Sequence, residues 1–324
     1  MALRSKTRRA AVLGLGILVA GTARAEEARP RVGSLRIVIL STMLANEGVG
    51  EWGFSAYVEA DGHRILFDTG ARPRTVLENA KELKVDLASV DLVVLSHNHG
   101  DHTGGLLTLR SELSRERKQA LAVAHVGEGI FWPRPGPDGA ERNNALRIKA
   151  EYERSGGTFV VHDAPVALFP AIWLTGPVPR VHPERNWSGL GRMVTDAGAV
   201  EDTIPEDQSL VFDTADGLVV LSGCGHSGVV NTALYARKVV REASLFALIG
   251  GFHLYPLDDP GLQWTADQLR PLGVRNLVGA HCTGIEAVYR LRASLGLTRE
   301  TAVVGAVGAS FVLGKGIDPR DVAR

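Results

Sequence analysis

The amino-acid sequence predicts an α/β protein of the α+β kind, with mixed sheets covered by helices. Eleven short apolar runs carry the first part of that reading. They are residues 35–40, 54–60, 64–70, 91–97, 121–126, 158–163, 209–214, 217–223, 245–251, 275–281 and 301–305. Their β-branched content and the Gly or Asp residues that bound them mark strands. Helical periodicity carries the second part. Residues 74–85 bring Val76, Leu77, Ala80 and Leu83 onto one face, and 228–241, 261–272 and 284–295 behave alike. The order of elements carries the third. Early strands follow one another as in hairpins and later ones alternate with helices, so a purely doubly wound sheet does not fit.

With 324 residues, 45% of them hydrophobic, the chain can bury a large core. Formal net charge is zero, but residues 1–25 hold Arg4, Lys6, Arg8, Arg9 and Arg24 and no acid. The remainder carries 31 basic against 36 acidic residues, about −5. That is a poor match to a nucleic-acid backbone or an anionic membrane, and the partner expected is a small-molecule substrate. The run 115-RERK-118 reads as the solvated face of a helix.

The N-terminus reads as an export signal. A basic segment, 4-RSKTRR-9, precedes the apolar 10-AAVLGLGILVAG-21, and 23-ARA-25 supplies small residues for cleavage. The apolar stretch is shorter than the roughly 20 residues a spanning helix needs. Arg8-Arg9 resemble a twin-arginine signal, which exports folded proteins. On this reading residues 1–25 are a signal peptide, 26–34 a linker and 35–324 one domain. The mature protein is then periplasmic or secreted, with no stable membrane insertion.

Two stretches, 127–157 with Phe131 and Trp132, and 176–193 with Trp187, are rich in Pro, Gly and Asn. Long aromatic-bearing loops of this kind read as lid-like insertions over a pocket. The two cysteines, Cys224 and Cys282, make no disulfide framework; they are compatible with one bond or with two buried thiols.

The chemistry concentrates in 91-DLVVLSHNHGDHTGG-105. Three of the ten histidines, His97, His99 and His102, fall within six positions together with Asp101. The buried run 92–95 delivers them to a strand end. In extended geometry His97, His99 and Asp101 share a face and His102 is offset. Gly100 lets the backbone turn, and a helix follows over 106–113. Imidazole and carboxylate are the ligands of a borderline divalent ion such as zinc.

Three more histidines end strands beside glycines: His226 in 221-LSGCGHSG-228, His253 in 249-IGGFHL-254 and His281 in 278-VGAHCTG-284. Their placement lets them converge on one mouth. His63, His125 and His162 lie in less informative contexts, and His182 sits in a lid-like stretch where it could touch substrate. The glycines of 223–228 also match G-x-G-x-x-G after a strand. The acid that a dinucleotide site needs after the next strand is missing, and a histidine inside the turn would crowd a pyrophosphate.

The run His97-x-His99-x-Asp101-His102 resembles the metal motif of the metallo-β-lactamase superfamily. Residues 66-LFDTG-70 resemble its upstream turn, and His281 after a strand resembles its last ligand. The motifs around Cys224, His253 and Cys282 are similar to one subgroup. It is named after 7,8-dihydropterin-6-yl-methyl-4-(β-D-ribofuranosyl)aminobenzene 5′-phosphate synthase. The resemblance spans roughly residues 35–313. It implies a four-layer αββα sandwich of two mixed sheets flanked by helices, and a site for two divalent ions, zinc foremost, with iron or manganese as alternatives. It implies His97 and His99 on one ion, and Asp101, His102 and His281 on the other, with Asp68 supporting the histidines. The family's further histidine is absent from 174-LTGPVPR-180 and its later aspartate is replaced, so His226 is expected to complete the first site.

Two bound divalent ions lower the pKa of water to about 7 and supply a nucleophile at neutral pH. The expected activity is hydrolysis of an ester, lactone, amide or phosphoester-type substrate. Asp101 would orient the nucleophile, and His253 would protonate the leaving group or serve as a structural hydrogen-bonder. The alternatives are the subgroup's synthase-like transfer chemistry, diiron-type redox chemistry and a non-catalytic metal-binding module.

Overall fold

The computed structural model of the chain describes residues 29–90 and 92–323. The expected signal peptide lies outside these residues. The first half contains β1 (Leu35–Ser41), β2 (Ser55–Ala60), β3 (His63–Phe67), α1 (Thr75–Glu82), β4 (Leu92–Val94), α2 (Gly100–Thr103), α3 (Leu106–Leu113), β5 (Val123–Gly127), α4 (Asn144–Arg154) and β6 (Thr158–His162). The second half begins with β7 (Val166–Phe169), β8 (Ile172–Leu174), β9 (Arg192–Thr195), β10 (Gly198–Glu201), β11 (Ser209–Thr214), β12 (Gly217–Ser222), α5 (Val229–Val239) and β13 (Leu245–Gly250). It closes with α6 (Asp259–Leu269), β14 (Asn276–Gly279), α7 (Ile285–Ser294), β15 (Ala302–Val304), β16 (Ser310–Val312) and β17 (Gly316–Asp318).

One sheet has the order β17-β16-β1-β2-β3-β4-β5-β6, and the other β15-β14-β13-β12-β11-β8-β7. Both are mixed: β1–β2–β3 is antiparallel while β3–β4–β5–β6 is parallel, and β11–β12 is antiparallel while β12–β13–β14–β15 is parallel. Strand periodicity explains why both faces are apolar. In β12, Val219 and Leu221 point to the core between the sheets, while Leu218 and Val220 point out toward α5 and α6. The inter-sheet core joins Ile37, Phe54, Phe67 and Val94 of the first sheet to Leu210, Phe212, Ile249 and Val278 of the second. Helices α1, α3 and α4 cover the outside of the first sheet, and α5, α6 and α7 cover the second. This is the αββα sandwich that the sequence predicts.

Three expectations change. Residues 127–157 are not one irregular lid, because α4 occupies 144–154, capped by the Asn143 side chain accepting from Leu146 N. The preceding Pro- and Gly-rich residues hide that helix from a reading of composition. Residues 115–118 form a turn after α3, not a helix face. The end of the expected linker is tied down: Val32 is buried and its N–H donates to Asp213 O at 2.8 Å.

The strand ends that will carry the site are held by close backbone approaches. Gly250 at the end of β13 has φ 114°, and a Cβ there would stand 1.9 Å from Ser222 O. A Gly250→Ala substitution is therefore expected to destabilise the fold by about 3 kcal/mol or more, read as a lowered denaturant midpoint at unchanged m. A midpoint equal to that of the parent protein would contradict this packing.

Candidate metal centre

Strand β4 ends at Val94, and the chain continues through Leu95–Asn98 before α2 begins at Gly100. The expected common face of His97, His99 and Asp101 is therefore not formed. Once the backbone turns helical at Gly100, Asp101 moves away from His97 and His99 and faces His102 and His281. Gly100 itself adopts no glycine-only backbone angle, so the turn comes from helix entry and not from that residue.

Four groups of ligand atoms occur among the described residues; two include Cys224, with His97 and His102 or with His253 and Cys282, and the other two hold the six expected residues. His97, His99 and His226 form one, and Asp101, His102 and His281 form the other; within each, the ligand atoms lie within 4.8 Å of one another. The ring centroids of His97 and His102 are 4.2 Å apart, so the clusters share a wall. The sequence expectation thus has its six residues brought together, with Asp101 on the side the resemblance implies.

Several buried nitrogens show what the clusters can hold. His226 Nδ1 lies 2.6 Å from Asn186 O, so it carries the proton and Nε2 carries a lone pair. That Nε2 and His97 Nε2 are buried without a hydrogen-bond partner among the described residues. In the second cluster His102 Nε2 faces His281 Nε2 at 3.2 Å, and His281 Nε2 lies 3.4 Å from Asp101 Oδ2. Two imidazole nitrogens facing each other beside a carboxylate are satisfied by a shared proton or by a cation. The spacing matches the ~3.3 Å edge of a tetrahedron with bonds near 2.0 Å. The donor set fits divalent ions.

Asp68 organises both clusters from below. It is fully buried, with φ 56°. Its Oδ1 accepts from Ser96 N at 2.7 Å and its Oδ2 from Ser96 Oγ at 2.7 Å. His102 Nδ1 sits 2.7 Å from the same Oδ2. Ser96 Oγ in turn stands 2.9 Å from His97 Nδ1. One carboxylate thereby sets the tautomers of His102 directly and of His97 through a hydroxyl, leaving each Nε2 toward the centre. Gly223 permits this crowding, since a Cβ there would lie 2.4 Å from Asp68 Oδ2 and 2.1 Å from Ser96 Oγ. Gly223 thus serves close packing against the metal motif, while Gly225 and Gly228 pack on Phe252 and Glu184.

The two clusters differ electrostatically. Burial and the neighbouring imidazoles push His97 and His226 well below the ordinary histidine range, and burial brings His99 down to about 4. All three are neutral ligands at pH 7. In the other cluster burial opposes charge, but the carboxylates of Asp68 and Asp101 outweigh it and raise His102 to about 9. Burial likewise opposes ionisation of Asp101, yet His102 and His281 hold its carboxyl well below the usual range. Without a cation, this cluster stores a proton where the cation would be.

Comparison with known proteins agrees with the geometry. The family described as "Beta-lactamase superfamily domain" matches residues 63–199. A Methanocaldococcus jannaschii protein, 7,8-dihydropterin-6-methyl-4-(β-D-ribofuranosyl)-aminobenzene-5′-phosphate synthase, is 31% identical over 268 residues, covering 79% of this chain and 90% of that one. The chain belongs to the metallo-β-lactamase superfamily. The crystal structure of Tm1679, a metal-dependent hydrolase of the β-lactamase superfamily, matches with TM-score 0.68 and 26% identity over 85% of this chain and 98% of that one. Zn²⁺-bound PqqB from Methylobacterium extorquens shares the fold at TM-score 0.51 and 14% identity, over 85% of this chain and 99% of that one.

The departures from the superfamily pattern are compensated by loops. His226 enters from the turn after β12, and Asn186, in the irregular stretch 176–193, orients it. The same Asn186 amide donates to Gly225 O and Phe252 O. That stretch is part of the site's frame as well as its cover. Asn98, between two of the histidines, donates through Nδ2 to Glu206 Oε1 at 2.6 Å. Glu206 is bridged by buried Arg134 to Asp202. Sequence reasoning missed this network, because neither the spacing nor the residue types of 98, 134, 202 and 206 form a motif.

A cavity of about 370 Å³ opens on the first cluster, lined by His99, His226, His253, Arg185, Trp187 and Tyr255. A second, of about 630 Å³, adjoins it across His99 and Asp202 and carries Arg134, Arg142 and Arg192. His253 is half-buried with φ 48°, its Nδ1 is 3.3 Å from Cys224 Sγ, and its ring is 4.6 Å from that of His226. Trp52 lies tilted against the His281 ring at 4.9 Å and meets Tyr255 edge-on at 5.7 Å. Both are about half exposed at the mouth, and an aromatic in a pre-strand loop offers no signal by itself. His182 packs near Trp264 and does not line the cavity on the clusters; His125 and His162 stack on each other, and His63 stacks on Phe169. The cysteines are free thiols.

Two outcomes follow from this geometry. Asp68→Asn keeps the shape but loses the acceptor that orients His102 and Ser96, and is expected to weaken metal binding about 10- to 100-fold in a chelator competition titration. Unchanged affinity would refute the role given to Asp68. The proton on His102 must leave when a cation enters, so apparent affinity should climb with pH throughout the range below about 9 and level off above it. A flat affinity across that interval, measured with metal-free protein, would contradict it.

Proposed function

We propose that this chain is a dinuclear metal-dependent hydrolase acting on a small ester, lactone or phosphoester-type substrate. The single observation that carries the proposal is the pair of adjoining ligand clusters opening on a cavity lined by His99, His226 and His253. His97, His99 and His226 would hold one ion, and Asp101, His102 and His281 the other, with zinc favoured by the nitrogen-rich donor set. The ions supply a lowered water pKa and polarise a substrate oxygen. Asp101 accepts a hydrogen bond from the attacking water and orients it. His253 has Nδ1 against Cys224, so Nε2 is the nitrogen that hands a proton to the leaving group. Arg192 brings a cation to the cavity wall, whereas Arg185 and Arg142 pair with Glu201 and Asp138, and Trp52, Tyr255 and Trp187 exclude water and offer apolar contact.

A second reading has its own support. The Methanocaldococcus jannaschii relative is named a synthase, and its identity extends over 90% of its length. In that reading the same residues hold the ions and a second substrate takes the place of water. Export from the cytosol, to the periplasm or beyond, belongs to the proposal on the strength of the N-terminal sequence and favours hydrolysis. No described helix is long and apolar enough to cross a membrane. One domain with no nucleic-acid partner completes the proposal.

Elemental analysis of natively purified protein, paired with a panel of phosphodiester, lactone and thioester substrates, tests it. Two zinc equivalents per chain and turnover of one class are expected. Bound iron with a visible chromophore, or formation of the relative's named product without hydrolysis of any panel member, would overturn the hydrolase reading. His99→Ala is expected to retain less metal and to lose more than about 100-fold in turnover, beyond the usual effect of losing a ligand's supporting residue. Parental activity in that variant would remove His99 from the site.

A further inference from the structure

The proposed chemistry leaves the two sulfur atoms unreacted, although they lie against the metal centre. Cys224 follows β12 two residues before His226, and Cys282 directly follows His281 after β14. Both are buried, at 2% and 1% exposure. Their Sγ atoms are 3.0 Å apart, about 1 Å beyond the ~2.05 Å of a disulfide. The loops that carry them are pressed together by glycine. A Cβ on Gly251 would lie 2.1 Å from Gly223 O and 3.0 Å from Cys282 Sγ. His253 N donates to Cys282 Sγ at 3.3 Å, and Cys282 Sγ donates to Cys224 O at 3.5 Å. The thiols are held in contact by backbone that has little room to separate.

We propose that Cys224 and Cys282 are a site of oxidative modification, closed by hydrogen peroxide into an intramolecular disulfide that ties the His226 loop to the His281 loop. His253, a wall of the open cavity, touches both sulfurs, Cys282 through its N–H and Cys224 through its ring; in the proposed step Cys224 reacts first. Its sulfur attacks one peroxide oxygen: an S–O bond forms, the O–O bond breaks, and water leaves with the thiol proton. Cys282 sulfur then displaces the hydroxyl: an S–S bond forms, the S–O bond breaks, and a second water leaves. The sulfurs together lose two electrons and the two peroxide oxygens gain them. The bond fixes the spacing between one loop of each ligand cluster. Formation of the bond stands independently of the proposed function; its bracing of bound metal rests on that function's metal assignment.

The test treats the metal-bound full chain with hydrogen peroxide, denatures it in iodoacetamide, and reads the mass with and without dithiothreitol. The expected product has lost two hydrogens, takes no alkyl label, shows peptides of residues 224 and 282 linked, and regains both labels after reduction. Two alkylated cysteines, or a sulfinic or sulfonic acid on one with the other free, would overturn the proposal. Cys282→Ser, checked for an intact melting transition, is expected to yield no loss of two hydrogens; the same loss in that variant would place the oxidation elsewhere. Stripping of metal by EDTA should slow about fivefold in the oxidised protein, the factor that 1 kcal/mol provides. Equal stripping rates would overturn the bracing of the centre.

Discussion

The structure around the site depends on one buried carboxylate. Among the described residues no lysine or arginine pairs with Asp68; it is kept in an apolar interior by hydrogen bonds from Ser96 N, Ser96 Oγ and His102. A buried charge without such partners costs several kcal/mol. The requirement runs in both directions. Asp68 must find these donors, and having found them it dictates which nitrogen of each histidine is free. Its own backbone is in the left-handed region, as are those of His253 and His281. A non-glycine residue persists there only where the surroundings overdetermine it. Here the surroundings are the close-packed turns at the ends of β3, β13 and β14.

From that anchor the electrostatics divide. Burial keeps three imidazoles neutral and open as ligands, while two carboxylates draw a proton onto His102 on the other side. A cation entering the second cluster displaces a proton, whereas one entering the first meets lone pairs that are already bare. The two clusters are chemically unequal, although they share a wall of histidine rings.

The loops complete what the strands begin. Asn186 orients His226, Glu206 holds Asn98 between two ligands, and Arg134 bridges Glu206 to Asp202. These contacts couple the irregular segments to the metal motif, so the segments that shape the cavity also fix the ligands. Trp52 and Tyr255 form the aromatic lip, and Arg134 and Arg142 of the adjoining cavity are held by carboxylates.

The sequence by itself determined the fold class, the position of the centre at strand ends, and the identity of the clustered side chains. Hydrophobic period and histidine density are local properties that survive in a one-dimensional reading, and Asp68 was legible because its turn resembles a family motif. Extended-strand geometry misled over Asp101, which the family resemblance placed with His102 and His281, and composition misled over α4, which a Pro- and Gly-rich preface conceals. Only the tertiary structure decided which nitrogen of each ring is free, and that residues as distant as 98, 134 and 206 act together. The reason is physical: ligand direction, tautomer and ion-pair choice are set by contacts between segments far apart in the chain, and no local pattern encodes them.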